Sequence, residues 1–457
     1  MHLYHKRVHF IGIGGAGMNA LAEILLAYGH RVSGSDLKRS RITERLEGLG
    51  VAVQYDHEPR LVAGADLTVY SSAIRPENPE CKYARAHRIP CMRRAEMLGE
   101  LMRATFSIGV AGTHGKTTTT SLLGQALSHA GFDPTIIVGG TMRERGANAV
   151  VGGGGVLVAE ADEYDRSFLC LYPSIAVITN IEADHLDCYT DIGEIQQAFA
   201  EYAARVPFYG ALVVCADDKN ARNVSAAAQR TVVTYGMAQD ADYRAEAVEF
   251  AAGVSSFAVS RRGAALGRAT IPMSGPHNVR NACAAIAVCC EMGIDFGVVC
   301  EGLRNFSGIR RRFERIGVER GITVIDDYAH HPSEIAATLA AARMSNFGRV
   351  IAVFQPHLYT RTRDFLDAFA ASLAAADVVV VTGIYKAREE PIDGVTSSAI
   401  VERMKSCGHA AALYVDDKDG AVDIVFGHAR PGDGVILMGA GDINEIGPRL
   451  LERIRHG

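Results

Sequence analysis

The segment Gly112-Thr113-His114-Gly115-Lys116-Thr117-Thr118 constrains this chain more than any other. An apolar run from Phe106 to Ala111 precedes it and reads as a strand. Residues 119–130 follow and read as an amphipathic helix. A glycine-rich turn between strand and helix lets backbone N–H groups approach phosphate oxygens, and the helix N-terminus adds partial positive charge. The lysine of such a turn reaches the β- and γ-phosphates, and the threonine hydroxyl can hold Mg²⁺. The spacing therefore predicts an ATP or GTP site on an α/β scaffold. The general pattern departs at one place: Val110 stands where it has glycine, and Gly109 comes one position too early. The strand before and the helix after argue against a chance Gly-x-x-Gly-Lys-Thr.

At 457 residues the chain exceeds one ordinary core, so two or three domains are expected. A net charge of −5 argues against a nucleic-acid partner. The ten cysteines are scattered without a C-x-x-C pair, and Cys289-Cys290 lies in an apolar, helix-like segment. They read as reduced, buried thiols, so no disulfide framework or zinc site is expected. No stretch has the length of a membrane span, and the first residues carry no apolar leader. A cytoplasmic protein is expected.

Strand-like and helix-like segments alternate from the start. Val8–Ile13, Arg31–Gly34 and Leu67–Tyr70 read as strands, with a helix over Met18–Tyr28. Alternation of this kind builds a parallel sheet covered by helices. The phosphate loop opens a second unit with strands near 155–159, 175–179, 211–215 and 231–235. Residues 245–271 alternate in short runs and predict a small antiparallel patch. An Ala-rich helix over 278–292 follows. Near Gly308 the pattern restarts, with strands near 322–325, 350–354, 378–381 and 435–438. The expected domains are 1–103, 104–307 and 308–457.

Further clusters sit at these strand ends. Gly12-Ile13-Gly14-Gly15-Ala16-Gly17 fits G-x-G-x-x-G, and Asp36 follows at the end of the next strand. Taken alone this is a dinucleotide fingerprint, and a nicotinamide oxidoreductase is its default reading. The physics is broader, because a glycine turn at a helix N-terminus accepts any diphosphate. Glu160, Asp162 and Glu163 follow the strand before them, where one carboxylate can hold Mg²⁺ and a solvated acidic turn is the alternative. Thr179-Asn180-Ile181-Glu182-Ala183-Asp184-His185 is a polar cluster after another strand, suited to a metal or phosphate. Asn278 and Asn281 share one helical face, and helix capping competes with a nucleotide role for Asn278. Arg310-Arg311-Arg312 can present a guanidinium to phosphate or form a solvated face. Asp326-Asp327-Tyr328-Ala329-His330-His331 and Gln355-Pro356-His357-Leu358-Tyr359-Thr360-Arg361 are poor core material and read as site loops.

Taken in order, GIGGAGM, GTHGKTTT, AEADE, TNIEADHLD, GPHNVRNA, RRRFE, DDYAHHPSEI and FQPHLYTRT resemble the Mur ligases of peptidoglycan synthesis. The resemblance covers nearly the whole chain. The family's phosphate loop lacks the early glycine, which accounts for Val110. The resemblance implies three α/β domains: an N-terminal Rossmann-like parallel sheet for a UDP-substrate, a central P-loop ATPase domain, and a C-terminal Rossmann-like domain for an amino acid. It implies ATP and two Mg²⁺ ions. UDP-N-acetylmuramate and L-alanine are the implied substrates, a whole tripeptide in place of L-alanine is the runner-up, and monomer and homodimer stay open.

Residue by residue, the resemblance assigns Gly112, Thr113, His114, Gly115, Lys116, Thr117 and Thr118 to ATP. It adds Asn278, Asn281, Arg312 and Asp327 on the nucleotide side. Thr117, Glu160 and His185 are the implied metal ligands. Lys116, Glu160, His185 and Arg312 are the implied catalytic groups. Gly14, Gly15, Ala16, Gly17, Ser35, Asp36, Ser71 and Ser72 are assigned to the UDP-substrate, and His330, His357 and Arg361 to the amino-acid and acyl site.

Overall fold

The computed structural model describes residues 5–15, 17–140, 142, 148–184, 188–251, 253–387 and 389–457. Among the described residues it is α/β, with three sheets. The first has five parallel strands in the spatial order Ala52–Gln54, Arg31–Ser35, Arg7–Ile11, Leu67–Tyr70, Cys91–Arg93. The helix Met18–Ala27 buries Met18, Leu21, Ile24 and Leu25, the spacing of one helical face. The two edge strands are three residues each, too short for hydrophobic periodicity to reveal them.

The second sheet has ten strands. In spatial order they are Ala264–Ile271, Val254–Arg261, Tyr243–Ala251, Thr231–Gly236, Ala211–Cys215, Ile175–Ile178, Phe106–Ala111, Val156–Ala161, Thr135–Ile137 and Ala149–Val150. Phe106–Ala111 runs parallel to both its neighbours, Ile175–Ile178 and Val156–Ala161. Their carboxyl ends therefore open together, where ligands bind in such sheets. The expected antiparallel patch is present. Val254–Arg261 and Ala264–Ile271 are neighbours joined by Arg262 and Gly263 alone, a link only antiparallel strands permit. Arg262 at φ 48° and Gly263 at φ 81° supply the backbone that such a hairpin turn needs.

The third sheet runs Glu314–Glu319, Ile322–Asp327, Gly434–Met438, Val350–Phe354, Val378–Val381, Ala412–Tyr414. Its strands are parallel except at one edge, where Glu314–Glu319 pairs antiparallel with Ile322–Asp327. That edge strand carries no clear alternation and was not expected from the sequence. Val350–Phe354 and Val378–Val381 are buried at every position, because helices cover both faces of a parallel sheet.

The chain divides into two compact units. One comprises Met1–Val248, Phe257–Thr270 and Asn278–Phe306; the other comprises Glu249–Ser256, Ile271–His277 and Ser307–Gly457. Among the described residues, no helix is long and apolar enough to cross a membrane.

Candidate functional site

The first unit carries the glycine-rich loop Gly112–Thr118. The helix after it begins at Lys116, three residues before the start that periodicity predicts. Gly115 caps it at φ 84°, so Lys116, Thr117 and Thr118 form the first helical turn. Gly112 adopts φ +138°, and a Cβ there would lie 1.9 Å from Thr179 Oγ1. The strand end after Ile178 thus packs directly on the loop. Thr179 donates its hydroxyl to the His114 carbonyl at 2.6 Å. The Asn180 amide accepts from His114 N at 2.8 Å and donates to His114 O at 2.9 Å. Thr113 Oγ1 accepts from Glu182 N at 2.9 Å. His114 Nε2 lies 3.3 Å from the Glu182 carboxylate.

Lys116 turns onto its own loop. Its ammonium donates to Gly112 O at 2.7 Å and Thr113 O at 3.3 Å. It also meets both oxygens of Glu163, at 2.9 and 2.7 Å. Burial works against this charge, but Glu163, with Asp162 and Glu160, holds the ammonium above the usual lysine range. Glu163 is 2% exposed, so it is not the solvated acidic turn that the sequence allows. Its pairing with Lys116 was not foreseen, because the two residues are far apart in sequence.

Glu160 is the penultimate residue of the strand Val156–Ala161, whose neighbour Phe106–Ala111 leads into the loop. It accepts from Gly139 N at 2.7 Å and from the Thr117 hydroxyl, and burial pushes its carboxyl up. A hydroxyl and a half-buried, incompletely compensated carboxylate, side by side, are hard oxygen donors suited to Mg²⁺. His185, the third expected ligand, lies outside the described residues. Asn281 Oδ1 lies 2.7 Å from where a Cβ on Gly115 would stand. Asn278 and Asn281 are buried, and Asn281 Nδ2 lies 3.5 Å from Asn278 Oδ1. The structure therefore gathers the loop, Glu160 and both asparagines within one unit.

The N-terminal glycine turn lies in the same unit. Gly12 N and Ile13 N donate to Ser35 O at 2.8 and 2.9 Å. Gly14 N donates to Asp36 Oδ2 at 2.9 Å. Ser71 Oγ lies 3.9 Å from a Cβ built on Gly15, while Ser72 is exposed. Ala16 lies outside the described residues. Ser35 points its hydroxyl inward, to Glu80, and is fully buried. Sequence reasoning missed Arg94. Its guanidinium comes within 3.2 Å of a Cβ built on Gly17, which puts a cation beside the turn. The tandem Arg93-Arg94, where the short edge strand meets the next helix, was the available signal.

The second unit holds the remaining candidates. Asp327 ends its strand buried, accepting from Phe313 N at 2.7 Å and Ala329 N at 2.8 Å. Burial raises its carboxyl, and Arg312 opposes that. Arg312 lies 3.7 Å from Glu334 and 5.4 Å from the Tyr328 ring centroid. Arg311 instead ties the fold together, donating to Gly441 O at 3.0 Å and Gly439 O at 2.5 Å. The His330 and His357 rings are 6.0 Å apart, and His357 stacks on Tyr385 at 5.7 Å. Arg361 is buried in the first turn of the helix Tyr359–Asp364.

Asp326 gives a measurable consequence. Burial pushes its carboxyl up to about 6, against the Arg311 charge. An aspartate in the unfolded chain titrates near pH ~4. The folded chain therefore keeps a proton that the unfolded chain loses. The stability this contributes is full below pH ~4 and is lost as pH rises through about 6. Urea unfolding of the wild type and Asp326→Asn across that range should show the wild type losing stability relative to the variant. A constant difference would refute the assignment.

The comparisons agree with this architecture. Three family models match in succession: "Mur ligase family, catalytic domain" over residues 7–106, "Mur ligase middle domain" over 110–289, and "Mur ligase, glutamate ligase domain" over 311–441. The chain is 52% identical over 453 residues to a UDP-N-acetylmuramate–L-alanine ligase of Salinibacter ruber, covering 99% of this chain and 95% of that one. It is 50% identical to the ligase of the same name from Sorangium cellulosum, covering 98% and 96%. Among solved structures it is similar to the UDP-N-acetylmuramate–alanine ligase of Thermotoga maritima, with a TM-score of 0.80, 30% identity, and coverage of 98% and 99%. A murein peptide ligase from Psychrobacter arcticus is also similar, with a TM-score of 0.70, 27% identity and 99% coverage of both chains. Three consecutive domain models and full-length relatives at this identity leave one assignment, and the chain belongs to the Mur ligase family.

Proposed function

We propose that this chain uses ATP to join L-alanine to the carboxylate of UDP-N-acetylmuramate. The observation that carries an ATP-driven reaction is Lys116 at the head of a helix, beside the Thr117–Glu160 oxygen pair. The choice of substrates rests on the similarity to the full-length relatives.

A carboxylate is a poor acyl donor, because its oxide does not leave. Attack of the carboxylate on the γ-phosphate forms an acyl phosphate and releases ADP. The neutral amine of L-alanine then attacks the acyl carbon, inorganic phosphate leaves, and the amine proton passes to a base or water. Lys116 offsets the charge on the transferring phosphoryl group. Thr117 and Glu160 would hold one Mg²⁺, and His185 is proposed for a second. When bound, Mg²⁺ neutralises phosphate oxygens that would repel the attacking carboxylate. Asn278, Asn281, Arg312 and Asp327 are proposed for the nucleotide, with His330, His357 and Arg361 for the amino acid and acyl group. Residues 1–103, 104–307 and 308–457 form the proposed UDP-substrate, ATP and amino-acid domains. The enzyme is proposed to work in the cytoplasm, as a monomer or a homodimer.

Phosphate release measured with ATP, UDP-N-acetylmuramate and each of the twenty amino acids tests the reading. L-alanine should give the fastest release. Faster release with L-alanyl-γ-D-glutamyl-meso-diaminopimelate would favour a peptide-recycling ligase instead. In calorimetry the chain should bind the UDP-sugar and not NAD; the reverse result would restore the oxidoreductase reading.

A further inference from the structure

The N-terminal sheet hides a carboxylate that neither the ATP site nor the amino-acid residues use. Glu80 lies in the first turn of the helix Pro79–Ala86 and is fully buried. One oxygen meets His9 Nε2 at 2.9 Å and Gln54 Nε2 at 3.2 Å. The other meets Ser35 Oγ at 2.6 Å and His57 Nδ1 at 2.7 Å. Ser35 Oγ and Gln54 Nε2 donate to the carboxylate, and His9 Nε2 and His57 Nδ1 donate in the tautomers that carry a hydrogen there. His9, Ser35 and Gln54 stand on three adjacent parallel strands, and His57 follows the third.

These partners lead to the glycine turn. The Ser35 carbonyl accepts from both Gly12 N and Ile13 N, and the Gln54 carbonyl accepts from Asp36 N at 3.0 Å. Asp36 in turn accepts from Gly14 N. Glu80 therefore grips the side chains of the two residues whose backbones hold Asp36 and the turn. A buried carboxylate is costly, and an apolar side chain would fill the same space at lower cost. Its four bonds fix directions, which apolar packing does not.

We propose that Glu80 is a positioning residue for the nucleoside-diphosphate end of the UDP-substrate. It acts through Ser35 and Gln54, setting Asp36 and the turn residues Gly12, Ile13 and Gly14 in their binding geometry. The inference rests on the reading that this turn takes the UDP-sugar.

The test compares the full-length wild type, Glu80→Gln and Ser35→Ala. In Glu80→Gln, the amide N–H₂ faces two groups that donate to the carboxylate, and those bonds persist only where a histidine changes tautomer or the Ser35 hydroxyl turns to accept, so the directions that the carboxylate fixes are lost. The KM for UDP-N-acetylmuramate and its calorimetric Kd should rise about tenfold or more, while kcat and the KM for ATP stay within about twofold. Ser35→Ala removes one donor from a fully buried position, so its effect passes only through the strand and should be about three- to tenfold on the same two constants. If Glu80→Gln does not fold, Ser35→Ala decides. Unmoved UDP-sugar constants in folded variants overturn the proposal. A uniform change in every kinetic constant does the same, because it marks a merely structural role. A wild type that binds no UDP-sugar overturns the underlying reading and the proposal with it, whereas wild-type binding with unmoved variants overturns the proposal alone.

Discussion

Lys116→Ala is expected to lower phosphate release by about 100-fold or more, the usual loss when one preorganised charge is removed from a transition state. The structure adds a second effect. Glu163 would remain buried without its cation, and breaking such a pair costs about 3–5 kcal/mol. The single variant should therefore be both inactive and destabilised. Lys116→Ala combined with Glu163→Gln should recover much of the stability and none of the turnover. Phosphate release and urea unfolding, measured on both variants, separate the two effects. Near-normal turnover in either variant would refute the nucleotide site.

Gly112→Ala should also have a large effect. The position has φ +138°, and a Cβ there would sit 1.9 Å from Thr179 Oγ1 and 3.1 Å from Asn180 N and O. Overpacking of this kind costs about 1–3 kcal/mol, and the backbone strain adds to it. The loop must shift, so ATP affinity should fall about tenfold or more. Adding Thr179→Ala removes the nearest clashing atom but not the strained φ. The double variant should therefore regain part of the lost affinity and stability. ATP affinity as in the wild type, measured by calorimetry on Gly112→Ala, would show that the loop geometry does not matter for nucleotide binding.

The strand–turn–helix around Gly112–Thr118 was legible because its whole signal is local, within a single stretch of chain. The long parallel strands were legible for a similar reason, since burial on both faces demands unbroken apolar runs such as Val378–Val381. What stayed hidden depends on residues distant in sequence. Glu163 read as one acid among three, and only the fold brings it onto Lys116. Glu80 gave no signal at all, because its partners His9, Ser35, Gln54 and His57 belong to separate segments. Ser35 was expected at the substrate, yet its hydroxyl serves the interior and only its carbonyl reaches the turn. The helix start was misplaced because periodicity sees apolar faces, while the helix begins at the left-handed Gly115.

The Lys116 ammonium has three N–H bonds and four protein acceptors around it: two carbonyls and both Glu163 oxygens. Anion capture at this loop is therefore a substitution and not a simple addition. An incoming phosphate first displaces the weakest acceptor, the neutral Thr113 carbonyl at 3.3 Å, and then competes with the Glu163 carboxylate, so the net gain is the difference between the partners. A small anion of low charge offers little over a bidentate carboxylate. A triphosphate, with several charges and many oxygens along the loop, offers much more. On the proposed reading of this loop, a triphosphate competes with Glu163 for Lys116 better than free phosphate or sulfate does.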